Sequence, residues 1–311
     1  MKALPAWAAL GLAALGGVAS AAQSAVNAEL GERVGNAAIG AVVNNLGGVV
    51  LVLLGLLVLP SMRTGLAALR HSRLPWWAYL GGLGGAAIVI VATYVVPVLG
   101  VAVFTIAQVA GNSVGGLTVD RVGLAPAGRL ALTGPRLAGA VLGIGAVALA
   151  QTGRPVGELA VGLVLLAVFG GVAVALQAAL NGRVSAASST AAGTAINFAV
   201  STPAVIVAAI GLGALDVLPS AHWPTEWHLY VGGLLGVGIV VTLLLAVRSV
   251  GVFRTGLAIV AGQLGGAVLL DTLRADQPVV SLPVLAGTLL TLSAVAVSGL
   301  RTRTRRPGPV G

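Results

Sequence analysis

Residues 16–28 read GGVASAAQSAVNA, and residues 170–182 read GGVAVALQAALNG. Both segments place two glycines ahead of a glutamine and an asparagine that are four residues apart, so the two amides lie on one face of a helix. The glutamines, Gln23 and Gln177, are separated by 154 residues in a chain of 311. A polar pair that recurs after half the chain length, within otherwise apolar sequence, indicates an internal duplication.

The composition is typical of a membrane protein. Hydrophobic residues make up 58% of the chain and charged residues 8%, whereas a soluble domain carries about 25% charged residues. So few charges cannot cover a water-exposed surface, and we expect the natural solvent to be lipid. The absence of cysteine excludes disulfides, thiolate metal sites and cysteine nucleophiles. The net charge of +9 does not indicate a nucleic acid partner, because the Lys and Arg residues lie in short gaps between apolar runs.

Apolar runs bounded by polar, proline or glycine residues predict ten membrane spans, each about 20 residues long. They fall at about residues 4–27, 36–60, 76–96, 98–119, 134–152, 157–180, 189–213, 228–247, 251–270 and 281–299. Only a tight break near Pro97 and Gly100 separates the third run from the fourth. The sequence therefore predicts an all-α integral membrane protein with ten transmembrane helices.

The distribution of Lys and Arg predicts the orientation of these spans. With the N-terminus in the cytoplasm, fourteen of the 17 basic residues fall on the cytoplasmic side, and only Arg33, Arg154 and Arg274 fall outside. This is the bias that the positive-inside rule describes. Of the eight acidic residues, all but Asp120 fall outside. We therefore expect a multi-pass protein of the inner (plasma) membrane with both termini in the cytoplasm.

Four further pairs of segments match in the same order along the two halves of the chain. They are GAVVN (40–44) with GTAIN (193–197), WWAYLGGLGG (76–85) with WHLYVGGLLG (227–236), AGNSVGGLTVD (110–120) with AGQLGGAVLLD (261–271), and PRLAGAVLGIGAVAL (135–149) with PVLAGTLLTLSAVAV (283–297). The offset between partners drifts smoothly from 154 to 148 residues, as small loop deletions would produce. The matches predict a first five-helix repeat at 1–152, a second at 153–300 and a basic cytoplasmic tail at 301–311.

Each predicted repeat has an odd number of spans, so the second repeat crosses the membrane in the opposite sense to the first. An inverted repeat of this kind is the architecture from which alternating access follows in secondary transporters. The matched blocks also carry paired glycines, which we expect to pack helices closely. These glycines are Gly81, Gly85, Gly111 and Gly115 in the first repeat and Gly232, Gly236, Gly262 and Gly266 in the second.

The matched blocks resemble the YdcZ-type inner-membrane exporters of the drug/metabolite transporter superfamily. The resemblance rests on the Gln-x-x-x-Asn of the first helix, Asn44, the Trp-Trp-x-x-Leu-Gly-Gly at 76–82 and Gly262-Gln263 ahead of Leu-Asp. Members of that family occur as five-span units and as ten-span fusions, and this chain is similar to a fusion from about residue 10 to 300. In the first repeat Gly111-Asn112 stands where the family has Gly-Gln. The resemblance implies export and names no substrate.

Amides at predicted mid-depth are the candidate substrate site. An amide without a partner in hydrocarbon costs several kcal/mol, so each of them should bond across helices or line a wet cavity. Substrate sites of inverted-repeat carriers lie near the membrane midplane. The predicted substrate-binding residues are Asn44, Asn45, Asn112, Ser113, Asn197 and Gln263. The alternative is that these amides only hold helices together.

The amides of the repeated motif have a separate predicted role. Gln23 and Asn27 fall near the outer end of span one, and Gln177 and Asn181 fall near the inner end of span six. Inversion thus places one pair at each mouth, where the four residues could form gates or vestibules. The alternative is that they make helix-end hydrogen bonds to the next span.

Asp120 and Asp271 end spans four and nine and are possible coupling carboxylates, because an ionisable residue within a membrane is a functional candidate. The alternative is an interfacial ion pair with Arg121 or Arg274. At mid-depth the predicted spans hold no Asp, Glu, Lys or Arg. A neutral or zwitterionic polar substrate therefore fits better than a permanent cation.

Catalytic and phosphate-binding motifs are absent from the sequence, so we predict no enzyme activity, no metal site and no cofactor. We predict a secondary-active transporter, as an exporter of a small polar metabolite or drug-like molecule by alternating access. Two alternatives remain open, an uncoupled facilitator and a non-transporting membrane scaffold or accessory subunit. The expected partners are the lipid bilayer and a small-molecule substrate, and a monomer is possible because the repeats are fused.

Overall fold

A computed structural model describes residues 4–150, 161–273 and 282–300 of the chain, and every regular element within them is helical. The helices are α1 (Ala6–Val34), α2 (Ala37–Val58), α3 (Pro60–Arg70), α4 (Leu83–Val122), α5 (Gly134–Ala150), α6 (Val161–Ala187), α7 (Thr190–Gly211), α8 (Ala214–Val217), α9 (Gly232–Leu273) and α10 (Leu282–Ser298). Short 3-10 turns lie at Trp76–Gly82, Leu218–Ser220 and Trp227–Tyr230. The all-α prediction is confirmed. The predicted repeat boundary at 152–153, the position of Arg154 and the predicted tail at 301–311 lie outside the described residues.

Several of these helices suit a membrane. Five apolar segments of the described chain are long enough to cross one by length and composition, namely Ala6–Val34, Ala37–Val58, Val161–Ala187, Thr190–Gly211 and Trp227–Leu270. Two shorter apolar helical segments lie at Trp76–Ala92 and Leu285–Ser298. Large apolar side chains on these helices are exposed, including Leu57 and Val58 at 74% and 73%. Such side chains are what a lipid-facing surface requires.

Helix α1 does not end at the predicted position near residue 27. It continues to Val34, because Glu29 and Arg33 are good helix formers that pair across one turn at 2.6 Å. Gly35 then ends the helix in the left-handed conformation, with φ of 90°. Arg33 also donates to Glu226 at 2.6 Å and thereby lowers the pKa of that carboxyl.

The repeated amide motifs therefore lie deeper within their helices than predicted. Helix α6, like α1, runs past its predicted end, to Ala187 instead of residue 180. Gln23 is eleven residues from the end of α1, and Gln177 is ten residues from the end of α6. At 1.5 Å per residue each glutamine lies about 15 Å inside its helix. The placement of the motifs near the outer and inner ends of their membrane spans stays a prediction.

The predicted connection after the second span contains a further helix, α3. Pro60 occupies its first turn, where the missing N–H of proline costs nothing. Met62, Gly65 and Leu69 face inward and are buried, and the remaining residues form a largely exposed face. A Cβ on Gly65 would overlap Ser189 and Ala192, so α3 lies directly against α7.

Helix α9 is two helical segments joined at Gly251. This glycine has φ of 81° and ψ of 173°, a backbone conformation that residues other than glycine rarely adopt. The segment before it, 232–250, is here named α9a, and the segment after it, 252–273, is named α9b. Gly16 lies against Thr242 of α9a and Gly17 lies against Ile259 of α9b, so the chain reverses at Gly251 without an intervening loop.

Helix α4 also contains a reversal. Gly84 lies against Ala173 and Gly115 lies against Ala175, so both approach the same turn of α6. Because 31 residues separate these two glycines, a straight helix would hold them about 46 Å apart. The chain must therefore fold back within α4, and Val95 and Phe104 pack in one hydrophobic cluster with Ala167 of α6. The segments 83–95 and 104–122 are here named α4a and α4b.

These reversals allow each half of the chain to enclose a helix of the other half. Helix α1 lies between α9a and α9b, and α6 lies between α4a and α4b. The closest contacts are made at four glycines. A Cβ at any of these glycines would collide with a carbonyl oxygen of the helix that it faces. The four glycine–carbonyl pairs are Gly17 with Ile259, Gly171 with Gln108, Gly262 with Ala14, and Gly111 with Val168. The predicted packing role of Gly111 and Gly262 is confirmed.

The central glycines provide a test of this arrangement. Gly17→Ala and Gly171→Ala should each destabilise the protein by about 2 kcal/mol, because overfilling a packed contact forces the helices apart. Gly11 and Gly162 lie on the same two helices, and a Cβ at either would meet open space. Gly11→Ala and Gly162→Ala should therefore leave the melting temperature of the detergent-solubilised protein unchanged or raise it. Equal melting temperatures for all four variants would contradict the packing described here.

Candidate substrate site

A central cavity of about 710 Å³ lies where the two halves of the chain enclose each other. Its volume is within the range of small-molecule sites, about 300–1,000 Å³. Helices α1, α4, α6 and α9 all contribute lining residues. The polar side chains of the lining are Ser20, Gln23, Ser24, Thr105, Gln108, Asn112, Gln177 and Gln263. The lining is otherwise apolar, and no charged side chain belongs to it among the residues that the structure describes.

Two amides of the cavity are available to a ligand. Within the described part of the chain, the side chains of Gln108 and Asn112 make no hydrogen bond to protein. They are four residues apart on α4b and therefore share a face. The amide nitrogen of Asn112 lies 2.8 Å from where a Cβ on Gly256 would be. Only a glycine at 256 therefore leaves Asn112 its present position.

Gln263 connects the two halves of the chain across the cavity. Its Nε2 donates to the hydroxyl of Ser20 on α1 at 2.9 Å. Asn112 holds the corresponding position of the first repeat. Both Asn112 and Gln263 line the central cavity, as the sequence analysis predicts for this pair. The shorter Asn112 side chain has no counterpart of the Ser20 bond in the described residues, which leaves the two sides of the cavity chemically different.

Beside the cavity, the Gln23 cluster consists of Gln23, Asn27 and Asn44. Gln23 donates from Nε2 to the Asn44 Oδ1 at 2.8 Å and to the carbonyl of Gly232 at 3.0 Å. Asn27 lies against the same glycine, with its Oδ1 2.6 Å from where a Cβ on Gly232 would be. All three amides are half-buried. The cluster therefore joins α1, α2 and α9a through polar contacts.

The Gln177 cluster repeats this arrangement in the other half with Gln177, Asn181 and Asn197. The Asn197 Oδ1 accepts from Asn181 Nδ2 at 2.6 Å and from Gln177 Nε2 at 3.3 Å. Asn181 and Asn197 are buried, with 1% and 3% of their surface exposed, and Gly81 lies against Asn181. The two clusters thus match in composition, and their asparagines differ in burial, while Gln23 and Gln177 are both half-buried.

The structure groups the predicted site residues differently from the sequence. Asn44 and Asn197 do not line the central cavity but bond to the glutamines that do. Asn45 accepts a hydrogen bond from Ser201 at 3.0 Å and so connects α2 to α7. Ser113 is buried and does not belong to the cavity lining. The roles predicted for these residues as substrate ligands or gates stay predictions.

Sequence reasoning missed Gln108, Ser20, Ser24 and Thr105. A signal for Gln108 was present, because Gln108 and Asn112 are a third Gln-x-x-x-Asn in the chain. It lies within an apolar span like the other two and places its amides on one face. Ser20 and Ser24 are three residues before and one after Gln23. Ser20 is therefore on the helical face of Gln23, where a search for polar neighbours at helical spacing would find it.

Asp120 has no exposed surface and is fully engaged. Its carboxylate pairs with Arg136 at 2.5 Å and accepts the backbone N–H groups of Val252 and Phe253 at 2.8 and 3.2 Å. These N–H groups begin α9b, so Asp120 caps the helix that follows the reversal at Gly251. The predicted partner Arg121 is wrong, since that side chain is exposed. The side chain of Asp271 and the whole of Arg274 lie outside the described residues.

Comparisons with known proteins agree with this fold. A family model described as "Putative inner membrane exporter, YdcZ" matches the chain twice, over residues 8–149 and 162–297. No curated protein matches the chain. Among solved structures, one titled "Crystal structure of protein" is 18% identical, with a TM-score of 0.66 over 94% of this chain and 95% of that chain. At this identity the likeness shows a shared fold and nothing further.

Replacing Asp120 separates a structural role from a coupling role. Asp120→Asn should destabilise the protein by about 3–5 kcal/mol, because it leaves the Arg136 guanidinium buried without its counter-charge. Asp216→Asn is the matched control, since Asp216 is exposed on α8. The measurement is thermal unfolding of the purified protein in detergent. An Asp120→Asn protein as stable as the control would contradict the capping role.

Proposed function

The chain belongs to the YdcZ family of inner-membrane exporters, and on that premise we propose that it is a secondary-active exporter of a small polar molecule without net charge. The observation that carries the proposal is the central cavity, with its lining of amides, hydroxyls and apolar groups drawn from both halves of the chain. Amides donate and accept hydrogen bonds in equal measure and offer no counter-charge to an ion. Neutral or zwitterionic solutes therefore suit the cavity better than cations do.

The proposed architecture has ten spans in two five-span repeats of inverted topology. The reversals within α4 and α9 support it, since α4b, α9a and α9b are each about the length of a span. Segment α4a reaches that length together with the 3-10 turn at Trp76–Gly82 that precedes it. With the N-terminus in the cytoplasm, α1 and α6 cross in opposite senses. Their motifs then face opposite sides of the membrane.

We propose alternating access between the two amide clusters. In an inverted repeat the two halves can exchange conformations, which opens the pathway first to one side and then to the other. Gln23 and Gln177 are both half-buried, but Asn27 and Asn44 are half-buried where their counterparts Asn181 and Asn197 are buried. This difference supports a state that is open beside Gln23 and closed beside Gln177. The opposite state has the two environments exchanged.

The energy source is a separate question. The coupling role predicted for Asp120 and Asp271 stays a prediction, and the ion pair of Asp120 with Arg136 gives that residue a structural task already. An uncoupled facilitator would equilibrate its substrate across proteoliposomes, whereas a coupled carrier would concentrate it. Collapse of an imposed proton or sodium gradient abolishes concentration only in the coupled case.

Single introduced cysteines can distinguish a carrier from a non-transporting scaffold, because the native chain contains no cysteine. Gln108→Cys and Asn112→Cys should react with a membrane-impermeant polar thiol reagent, since both side chains line the cavity. Ser113→Cys is the matched control on the same helix, at a buried position outside the lining, and should stay unmodified. A transported solute should protect the two cavity positions. Failure of both to react from either side of the membrane would remove the carrier proposal and favour a scaffold.

A further inference from the structure

A second cavity, here named the arginine pocket, lies at the end of the molecule where α9 reverses and α10 ends. Its volume is about 460 Å³. Three arginines line it, Arg136 from α5 and Arg248 and Arg254 from α9, together with hydroxyls of Thr133, Ser249 and Ser298. The start of α1 is at the same end, since the N–H of Leu4 donates to Ser249 at 3.0 Å. None of these residues lines the central cavity.

The positive charge of the arginine pocket is not balanced within the described protein. Arg136 pairs with Asp120. For Arg248 and Arg254 the described residues provide no ion pair and no side-chain hydrogen bond. The Nε atoms of Arg136 and Arg254 are buried without any hydrogen-bond partner, and only 7% of Arg136 is exposed. Buried N–H groups of a cation are costly to leave unpaired.

The other acidic side chains that the structure describes do not supply the missing anion. Of the acidic residues that the structure describes, Glu29, Glu32, Asp216 and Glu226 belong to the other end of α1, to α8 and to the segment before α9. The sequence after Leu300 contains four arginines and no acidic side chain. No acidic side chain that the structure describes is therefore left to balance the arginine pocket, which favours an anion supplied from outside the protein.

We propose that the arginine pocket binds a phosphate-type anion. Guanidinium groups present planar N–H donors that match phosphate oxygens, and the hydroxyl of Thr133 adds a further donor. The hydroxyls of Ser249 and Ser298 already donate to backbone carbonyls of their own helices. The phosphate can belong to an anionic lipid headgroup, since basic pockets between helices bind such headgroups, or to a soluble phosphate. Both share the chemistry that the pocket recognises.

An anion bound in the arginine pocket would connect the two segments of α9. Arg248 is three residues before Gly251 and Arg254 is three residues after it, so an anion held by both connects α9a to α9b across the reversal. Arg136 adds a contact to α5 and, through Asp120, to the first turn of α9b. The anion therefore stabilises the turn between α9a and α9b, and the enclosure of α1 depends on that turn.

The test uses the full chain in a maltoside detergent, which contains no phosphate. Inorganic phosphate is titrated in one arm at constant ionic strength, and phosphatidylglycerol is titrated in the other, with the melting temperature as readout. Phosphate alone raising the melting temperature identifies a soluble ligand, and an increase with phosphatidylglycerol alone identifies a lipid headgroup. Native mass spectrometry of the lipid-treated protein then counts the retained lipid.

Two variants and one control decide the outcome. Arg254→Gln and Arg248→Gln should each weaken the apparent affinity for the effective anion about tenfold, the expected loss of one charged hydrogen bond. Arg70→Gln should not, because Arg70 is exposed on α3, away from the pocket. The proposal is overturned if neither anion raises the melting temperature, or if Arg70→Gln weakens the response as much as the pocket variants do.

Discussion

The close approach of α1 to α9b and of α6 to α4b is the constraint on which the rest of the structure depends. Gly17, Gly171, Gly111 and Gly262 have carbonyl oxygens of the opposite helix where side chains would otherwise be. Between lipid-exposed helices there is little hydrophobic driving force, so close packing of small residues carries much of the association. Each half of the chain therefore holds a helix of the other, and neither half completes its packing alone.

The same constraint explains where the polar residues lie. Because α1 and α6 are enclosed, the amides on their inner faces are turned away from lipid and find hydrogen-bond partners within the protein. Gln23 and Gln177 do so at Asn44 and Asn197. The central cavity lies between the two enclosures, and there the side chains of Gln108 and Asn112 have no hydrogen-bond partner among the described residues. The site is thus a consequence of how two interlocked halves fill space.

The sequence predicts the helices and the glycine positions of this arrangement. It does not reveal which helix or side chain each residue contacts in the folded chain. Apolar runs locate the helices, and matched glycines locate close packing. Helices α1 and α6 run past their predicted ends because Glu29 and Arg33 in α1, and Arg183 in α6, stop an apolar run without stopping a helix. Repeat matching relates Gly17 to Gly171 but does not reveal that each lies against the other half of the chain. Asp120 pairs with Arg136 rather than its neighbour Arg121, since folding and not sequence distance brings α4b beside α5.

The central claim is that the two amide clusters exchange environments during transport. Labelling rates of Asn27→Cys and Asn181→Cys by a polar thiol reagent, measured with and without a transported solute, test it most directly. In the resting state the half-buried Asn27 position should react faster than the buried Asn181 position. During transport the Asn181 position should accelerate while the Asn27 position slows. Rates that do not change, or that rise together at both positions, would contradict the account.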